Sequence, residues 1–168
     1  RGTIGLRGAA GPTLRLLNAL LARVQPAQVD RVSPWLEECL ERREAWEALK
    51  RERYEQPAQY DEVWGEEVLT QPAAIKVACD WARERQIVTL FDAGDVQANG
   101  FQIAEDERPG LTFSETGASY MGFAVSALLA TAMTRSPFYA LAITGDGSFT
   151  MAPQILIDGV QHGARGCI

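Results

Sequence analysis

Apolar residues along this chain recur first with helical spacing and later in short unbroken runs, and the change divides it. Leu14, Leu17, Leu20, Leu21 and Val24 follow one another at spacings of three and four, which predicts an amphipathic helix. Pro12 suits its first turn, where a missing N–H costs nothing. Trp35, Leu36, Cys39, Leu40, Trp46 and Leu49 then recur near helical spacing, with Glu and Arg filling the other face. Ser33-Pro34 reads as the N-cap and first position of that helix, with Glu37 at the capping-box offset. Between residues 51 and 65 charge persists while regularity is lost, so the helix is expected to run into a loop.

From residue 69 onward helix and strand patterns alternate. Thr70 and Pro72 open a predicted helix whose buried side is Ala74, Ile75, Ala78, Trp81 and Ala82, with Cys79 on or beside it. Arg83 and Arg85 fall where a helix C-terminus favours cations. Gln86-Ile87-Val88-Thr89-Leu90-Phe91 is apolar, β-branched and short, the pattern of a strand buried on both faces. A turn-rich stretch is expected from Asp92 through Gly100, and a closely packed central helix across residues 117–134. Residues 139–144 read as a second buried strand and 150–162 as the next helix. Another apolar run begins at Gly166-Cys167-Ile168. Strand and helix alternating at this spacing predict an α/β fold, a parallel sheet with crossover helices. Residues 1–68 are expected to be the tail of a preceding domain and a helical linker, with the α/β domain at 69–168.

Composition narrows the function classes. With 46% hydrophobic and 23% charged residues, the 168-residue chain has ordinary globular usage and is not a disordered segment. A formal charge of −6 offers no basic surface to nucleic acid or an anionic membrane. No stretch approaches the ~20 apolar residues of a membrane span, and the opening does not read as a signal peptide. Three widely spaced cysteines, at 39, 79 and 167, argue against a disulfide framework or zinc knuckle and suit a reducing, cytoplasmic setting. The one histidine, His162, precedes Gly163 at a predicted helix end and reads as a cap rather than a catalytic group. The four tryptophans read as packing anchors.

Chemistry concentrates in Thr144-Gly145-Asp146-Gly147-Ser148, where a buried parallel strand ends and a helix begins. Ligands of open α/β sheets bind at the carboxyl ends of strands. Glycines let backbone N–H groups approach an anion, and a helix N-terminus favours negative charge there. A carboxylate between those glycines would repel a phosphate directly. It makes sense if Asp146 holds a divalent cation that in turn holds the phosphate, as Mg²⁺ usually does. The alternative is a glycine-rich turn with an exposed aspartate. Walker, dinucleotide-fingerprint, nucleophile-elbow and EF-hand patterns each fail at their defining residues.

This segment resembles the start of the thiamine diphosphate motif of the acetolactate-synthase-like enzymes. The resemblance extends to Ser114-Glu115-Thr116-Gly117-Ala118-Ser119-Tyr120-Met121-Gly122-Phe123, similar to the pyrimidine-contacting segment, and to Phe91-Asp92-Ala93-Gly94-Asp95, similar to the first diphosphate-side loop. It implies a thiamine diphosphate-binding fold, cut short at its C-terminal end. Asp146 would be the Mg²⁺ ligand, with Gly145, Gly147 and Ser148 lining the diphosphate and Gly94 and Asp95 on the other diphosphate-side loop. Met121 would prop the cofactor in its bent form, and backbone groups of Ser119 and Met121 would meet the pyrimidine edge.

The implied reaction makes or breaks a C–C bond next to a carbonyl: decarboxylation of a 2-oxo acid with transfer to an acceptor, or hydrolysis of a cyclic 1,2-diketone. Glu115 is the residue that looks closer to the trihydroxycyclohexane-dione hydrolases. A non-catalytic scaffold or regulatory subunit of the same fold is the reading from another class. The resemblance also implies a second metal ligand, normally an asparagine, past Ile168. It implies an activating glutamate on a separate pyrimidine-side domain, and a homo-oligomer. The isolated chain is therefore expected to show little activity. Nothing in these residues supports an FAD.

Overall fold

The computed structural model describes residues 2–24 and 33–168; Arg1 and residues 25–32 lie outside them. The chain forms two compact units, Arg1–Ala48 and Leu49–Ile168. In the first, helix α1 (Ala10–Leu21) buries none of its residues, so the leucine stripe read from the sequence is exposed. Helix α2 (Pro34–Glu55) begins where expected, and the Leu36 N–H donates to the Ser33 hydroxyl at 3.3 Å.

The second unit opens with the end of α2, and a hairpin stands where the sequence pattern led us to expect a loop. Strands β1 (Ala58–Asp61) and β2 (Glu66–Leu69) pair antiparallel to form it. Its turn is built by Asp61, whose carboxylate accepts the N–H groups of Val63 and Trp64 at 2.8 and 2.9 Å, and by Gly65 at φ +70°. Both strands lie largely exposed, so they lack the apolar alternation that marks a half-buried strand.

The remaining elements make the α/β body. Helix α3 (Gln71–Glu84) starts at Thr70, but the threonine side chain makes no capping bond; its carbonyl accepts the Ala74 N–H at 3.0 Å. Its buried residues are Ala73, Ile75 and Ala82, while Ala74 and Trp81 face out, Trp81 beneath the Arg85 guanidinium. Strand β3 (Val88–Phe91) follows as predicted. Next comes helix α4 (Asp95–Ile103) in place of the expected run of turns. Gly100 accounts for the difference: it is a packing glycine, not a turn residue. A Cβ there would sit 2.4 Å from the ring of Phe91, which is fully buried.

Strand β4 (Thr112–Ser114) is a short addition that the sequence pattern did not mark. The predicted helix over 117–134 is divided. Residues 117–122 form a turn, and helices α5 (Phe123–Ala127) and α6 (Ala130–Met133) come after it. Strand β5 (Ala140–Ile143) leads into a single turn, α7 (Asp146–Phe149), then α8 (Ile155–His162) and the two-residue strand β6 (Gly166–Cys167). The predicted helix 150–162 thus begins only at Ile155.

The sheet order is β4-β3-β5-β6, all parallel, confirming the α/β class. Successive residues of a strand point to opposite faces, and β3 uses both. Leu90 packs with Ala124, Val125, Leu128, Ala140, Ala142, Ala152 and Ile155 on one face. Phe91 packs with Ile75, Val96 and Ile103 on the other. Helices α3 and α4 therefore cover one side, and α5 and α8 the other. The register makes the strands end level: Phe91 lies opposite both Ser114 and Ile143. The next residues, Asp92, Glu115 and Thr144, consequently emerge side by side.

Candidate functional site

Three loops leave the sheet at this common edge. The first, after β3, carries Asp92, Gly94 and Asp95. Gly94 takes φ +87° and stands just before α4, with open space where a side chain would begin. Asp95 is exposed in the first helical turn, where a carboxylate favours the helix N-terminus.

The second loop runs from Glu115 to Gly122 and holds Ser119 and Met121, both exposed. Glu115 organises it. Its carboxylate accepts the N–H groups of Gly117 at 2.7 Å, Ala118 at 3.1 Å and Tyr120 at 3.2 Å. The Ala118 bond leads these in holding the carboxyl below its ordinary value. Ser119 is left-handed at φ +55°, rare for a residue with a side chain, and Gly122 turns the chain into α5 at φ +90°. Glu115, the residue behind the hydrolase resemblance, therefore has its carboxylate committed to shaping its own loop. Gln97 fastens the start of this loop to α4: its side-chain amide donates to the Ser114 hydroxyl and, at 2.8 Å, to the Glu115 carbonyl. Gln97 is thus a tie between elements.

The third loop is Thr144-Gly145-Asp146-Gly147. Asp146 is exposed and accepts the Gly147 N–H at 2.8 Å. Neither Gly145 nor Gly147 has anything within 4 Å of where a Cβ would stand, as with Gly94. Gly94, Gly145 and Gly147 each leave open space where a side chain would begin, on two loops that leave the sheet side by side, and this opening with the exposed Asp146 carboxylate is the candidate cradle. Ser148 differs from the other predicted residues, being buried; its carbonyl lies 3.5 Å from the position of a Cβ on Gly122.

One residue joins the three loops, and no local pattern singled it out. Asp92 is fully buried, and its carboxylate reaches Gly122 in the second loop at 2.9 Å and Thr144 in the third at 3.0 Å. In sequence it is one aspartate of a turn-like Asp-Ala-Gly-Asp, with partners 30 and 52 residues away. Only the strand register brings them together.

Residues 92–167 match the family model described as thiamine pyrophosphate enzyme, C-terminal TPP binding domain. The match, a little under half of the chain, begins at Asp92 and takes in all three loops. Residues 92–167 are thus similar to the cofactor-binding domain of thiamine diphosphate-dependent enzymes. No curated protein matches it.

The residues present fit thiamine diphosphate. No side chain would begin within 4 Å of other atoms at Gly94, Gly145 or Gly147, so a diphosphate could approach there, and Asp146 is exposed with one oxygen bonded to the Gly147 N–H and the other open to a cation. Among the described residues no cluster of three His, Cys, Asp or Glu could hold a metal by itself. Asp146 would accordingly share a Mg²⁺ ion with phosphate and other oxygens. His162 lies at the other end of the sheet, since α8 returns the chain to β6, whose Gly166 pairs with the first residue of β5. It ends α8 before Gly163, left-handed at φ +70°.

Proposed function

We propose that this domain binds thiamine diphosphate through Mg²⁺ held by Asp146, and serves an enzyme that makes or breaks a C–C bond beside a carbonyl. The reading is carried by the cradle at the end of β5: an exposed carboxylate between two glycines that face open space, beside a third such glycine in the loop after β3. Bound thiamine diphosphate supplies the nucleophilic carbon and the electron sink; the protein's part is placement. Asp146 orients the metal, Gly94, Gly145 and Gly147 admit the diphosphate, and Ser119 and Met121 offer backbone and an apolar side chain to the pyrimidine side. Decarboxylation of a 2-oxo acid with transfer to an acceptor is the reaction we favour. The open cradle also speaks for a working cofactor site over a scaffold that has lost it.

A metal site with one carboxylate and a cofactor open to solvent both need more surface. We place that surface on a pyrimidine-side domain, in the same polypeptide or in a second copy. The chain by itself is expected to turn over a 2-oxo acid very slowly. No helix among the described residues is long and apolar enough to cross a membrane, and all three cysteines are free. Both fit the cytoplasmic location we propose.

Calorimetric titration with thiamine diphosphate and Mg²⁺ tests the site directly. Asp146→Ala in the complete assembly is expected to weaken Mg²⁺-dependent binding by about 100-fold or more, the loss of a charged metal ligand. Equal binding by both proteins would remove the metal-site argument.

A further inference from the structure

We propose that Asp92 is a positioning residue that fixes the loop carrying Met121 against the loop carrying Asp146, so that a cofactor spanning both is held in a productive shape. This rests on the cofactor reading above. Asp92 is fully buried, so it does not itself face the cradle. One carboxylate oxygen accepts the Ala93 N–H at 2.9 Å and the Gly122 N–H at 2.9 Å. The other accepts the Ala124 N–H at 3.3 Å and the Thr144 hydroxyl at 3.0 Å. Its own N–H donates to the Ile143 carbonyl at 3.0 Å, extending the β3–β5 pairing by one step.

The geometry makes this more than a satisfied buried group. Three of the four donors come one from each loop and the fourth, Ala124, from the first turn of α5; those loops carry every residue assigned to the cofactor except Ser148. Gly122 is next to Met121, and Thr144 is two residues from Asp146. The Gly122 corner has little slack on its far side, where a Cβ would stand 3.3 Å from the Cβ atoms of Met151 and Ala152. Asp92 therefore holds one side of a corner whose other side is packed. A displacement of about 1 Å at a reacting centre can cost about 100-fold in rate.

The acceptor-only pattern supplies a variant of nearly the same shape. A carboxylate can accept all four bonds, whereas the amide of Asp92→Asn places an NH₂ where one oxygen stood. If it replaces the oxygen facing Gly122, the Gly122 and Ala93 N–H groups lose their acceptor. If it replaces the other, Thr144 can turn its hydroxyl to the Gly145 carbonyl, 3.2 Å away, but the Ala124 N–H is left facing a donor. Either arrangement frees the first turn of α5.

Two readouts on the complete protein test the proposal. Amide hydrogen exchange without cofactor reads the lock: in Asp92→Asn, exchange at Gly122 or Ala124 should rise at least about tenfold, with the β3–β5 amides unchanged. Hydrogen–deuterium exchange at the thiazolium carbon of bound thiamine diphosphate needs no substrate. It should slow by about 100-fold, while cofactor affinity stays within about tenfold. Thr144→Val should show the same split at about a tenth of the size, and Thr144→Ser should restore wild-type behaviour. If Asp92→Asn does not fold, the two Thr144 variants decide. Wild-type exchange at the thiazolium carbon in Asp92→Asn would overturn the proposal. So would a Thr144→Ser protein as impaired as Thr144→Val, or an affinity loss as large as the rate loss. Failure of the wild-type protein to bind thiamine diphosphate would sink the cofactor reading instead, while the amide exchange would still report on the lock.

Discussion

Gly122 shows how narrow the tolerance is at single positions of the site. It combines φ +90° with the Cβ atoms of Met151 and Ala152 close on one side, so Gly122→Ala is strained both by its backbone and by its new methyl group. The expected loss is about 2–3 kcal/mol, read from denaturant unfolding, with weakened cofactor binding because the Met121 loop must shift. Loss below about 0.5 kcal/mol would mean that the corner is softer than its packing implies. Cys79 supports a milder expectation. Burial pushes its thiol up to about 11, so at pH 8 it should alkylate far more slowly in the folded protein than after unfolding, by mass spectrometry of iodoacetamide-treated samples.

At the scale of elements, Thr131 ties the α5–α6 junction to the approach to β6. This fully buried residue donates its hydroxyl to the Leu128 carbonyl at 2.6 Å and accepts the Arg165 N–H at 2.8 Å, just before β6. Thr131→Val keeps the shape but leaves the part-buried Arg165 N–H without its acceptor, while the Leu128 carbonyl keeps the backbone N–H of residue 131 at 3.1 Å. It should cost about 1–3 kcal/mol in unfolding free energy, and Thr131→Ser should recover most of that. The break was not legible because residues 117–134 are apolar all round. Such a run reads as one helix, and Leu128 and Leu129 do keep helical dihedrals; the division lies in the hydrogen bonds, which tighten there to i→i+3. Strands β3 and β5 were legible as unbroken β-branched and apolar runs between polar turns. Strand β4 was not: three residues, Thr112-Phe113-Ser114, are held by pairing to β3 rather than by any pattern of their own. The same division runs through the site. Gly145-Asp146-Gly147 is local and could be read from adjacent residues, whereas Asp92 acquires its meaning only when two distant loops arrive beside it.

For the molecule as a whole, two carboxylates should make stability fall on the acid side. Glu105 accepts Lys50 at 3.1 Å and Arg83 at 3.1 Å, connecting the end of α2 and the end of α3 to the segment after α4. The bond from Lys50 is the main reason its carboxyl lies below the ordinary range, with the charges of Lys50 and Arg83 adding to it. Glu115 is depressed by the amides of its own loop, Ala118 foremost. A carboxyl whose folded value is lowered stabilises the protein fully above its unfolded value, and that contribution is lost as pH falls through the folded one. Stability should thus be level from pH 7 to about 5 with respect to these groups, then decline below about 4.5. Glu105 is half-exposed, so solvent screening keeps its share to about 1 kcal/mol or less. Glu105→Gln and Glu115→Gln should each lower the unfolding temperature at pH 7 and flatten its fall between about pH 5 and 3. The double variant should be flattest, because the two carboxylates share no bonding partner and their effects should add. The variants also differ in where the effect appears. Glu105→Gln should leave amide exchange at Gly117, Ala118 and Tyr120 unchanged, whereas Glu115→Gln should speed it. If the wild-type acid slope persists in the double variant, the acid sensitivity lies with other carboxyl groups.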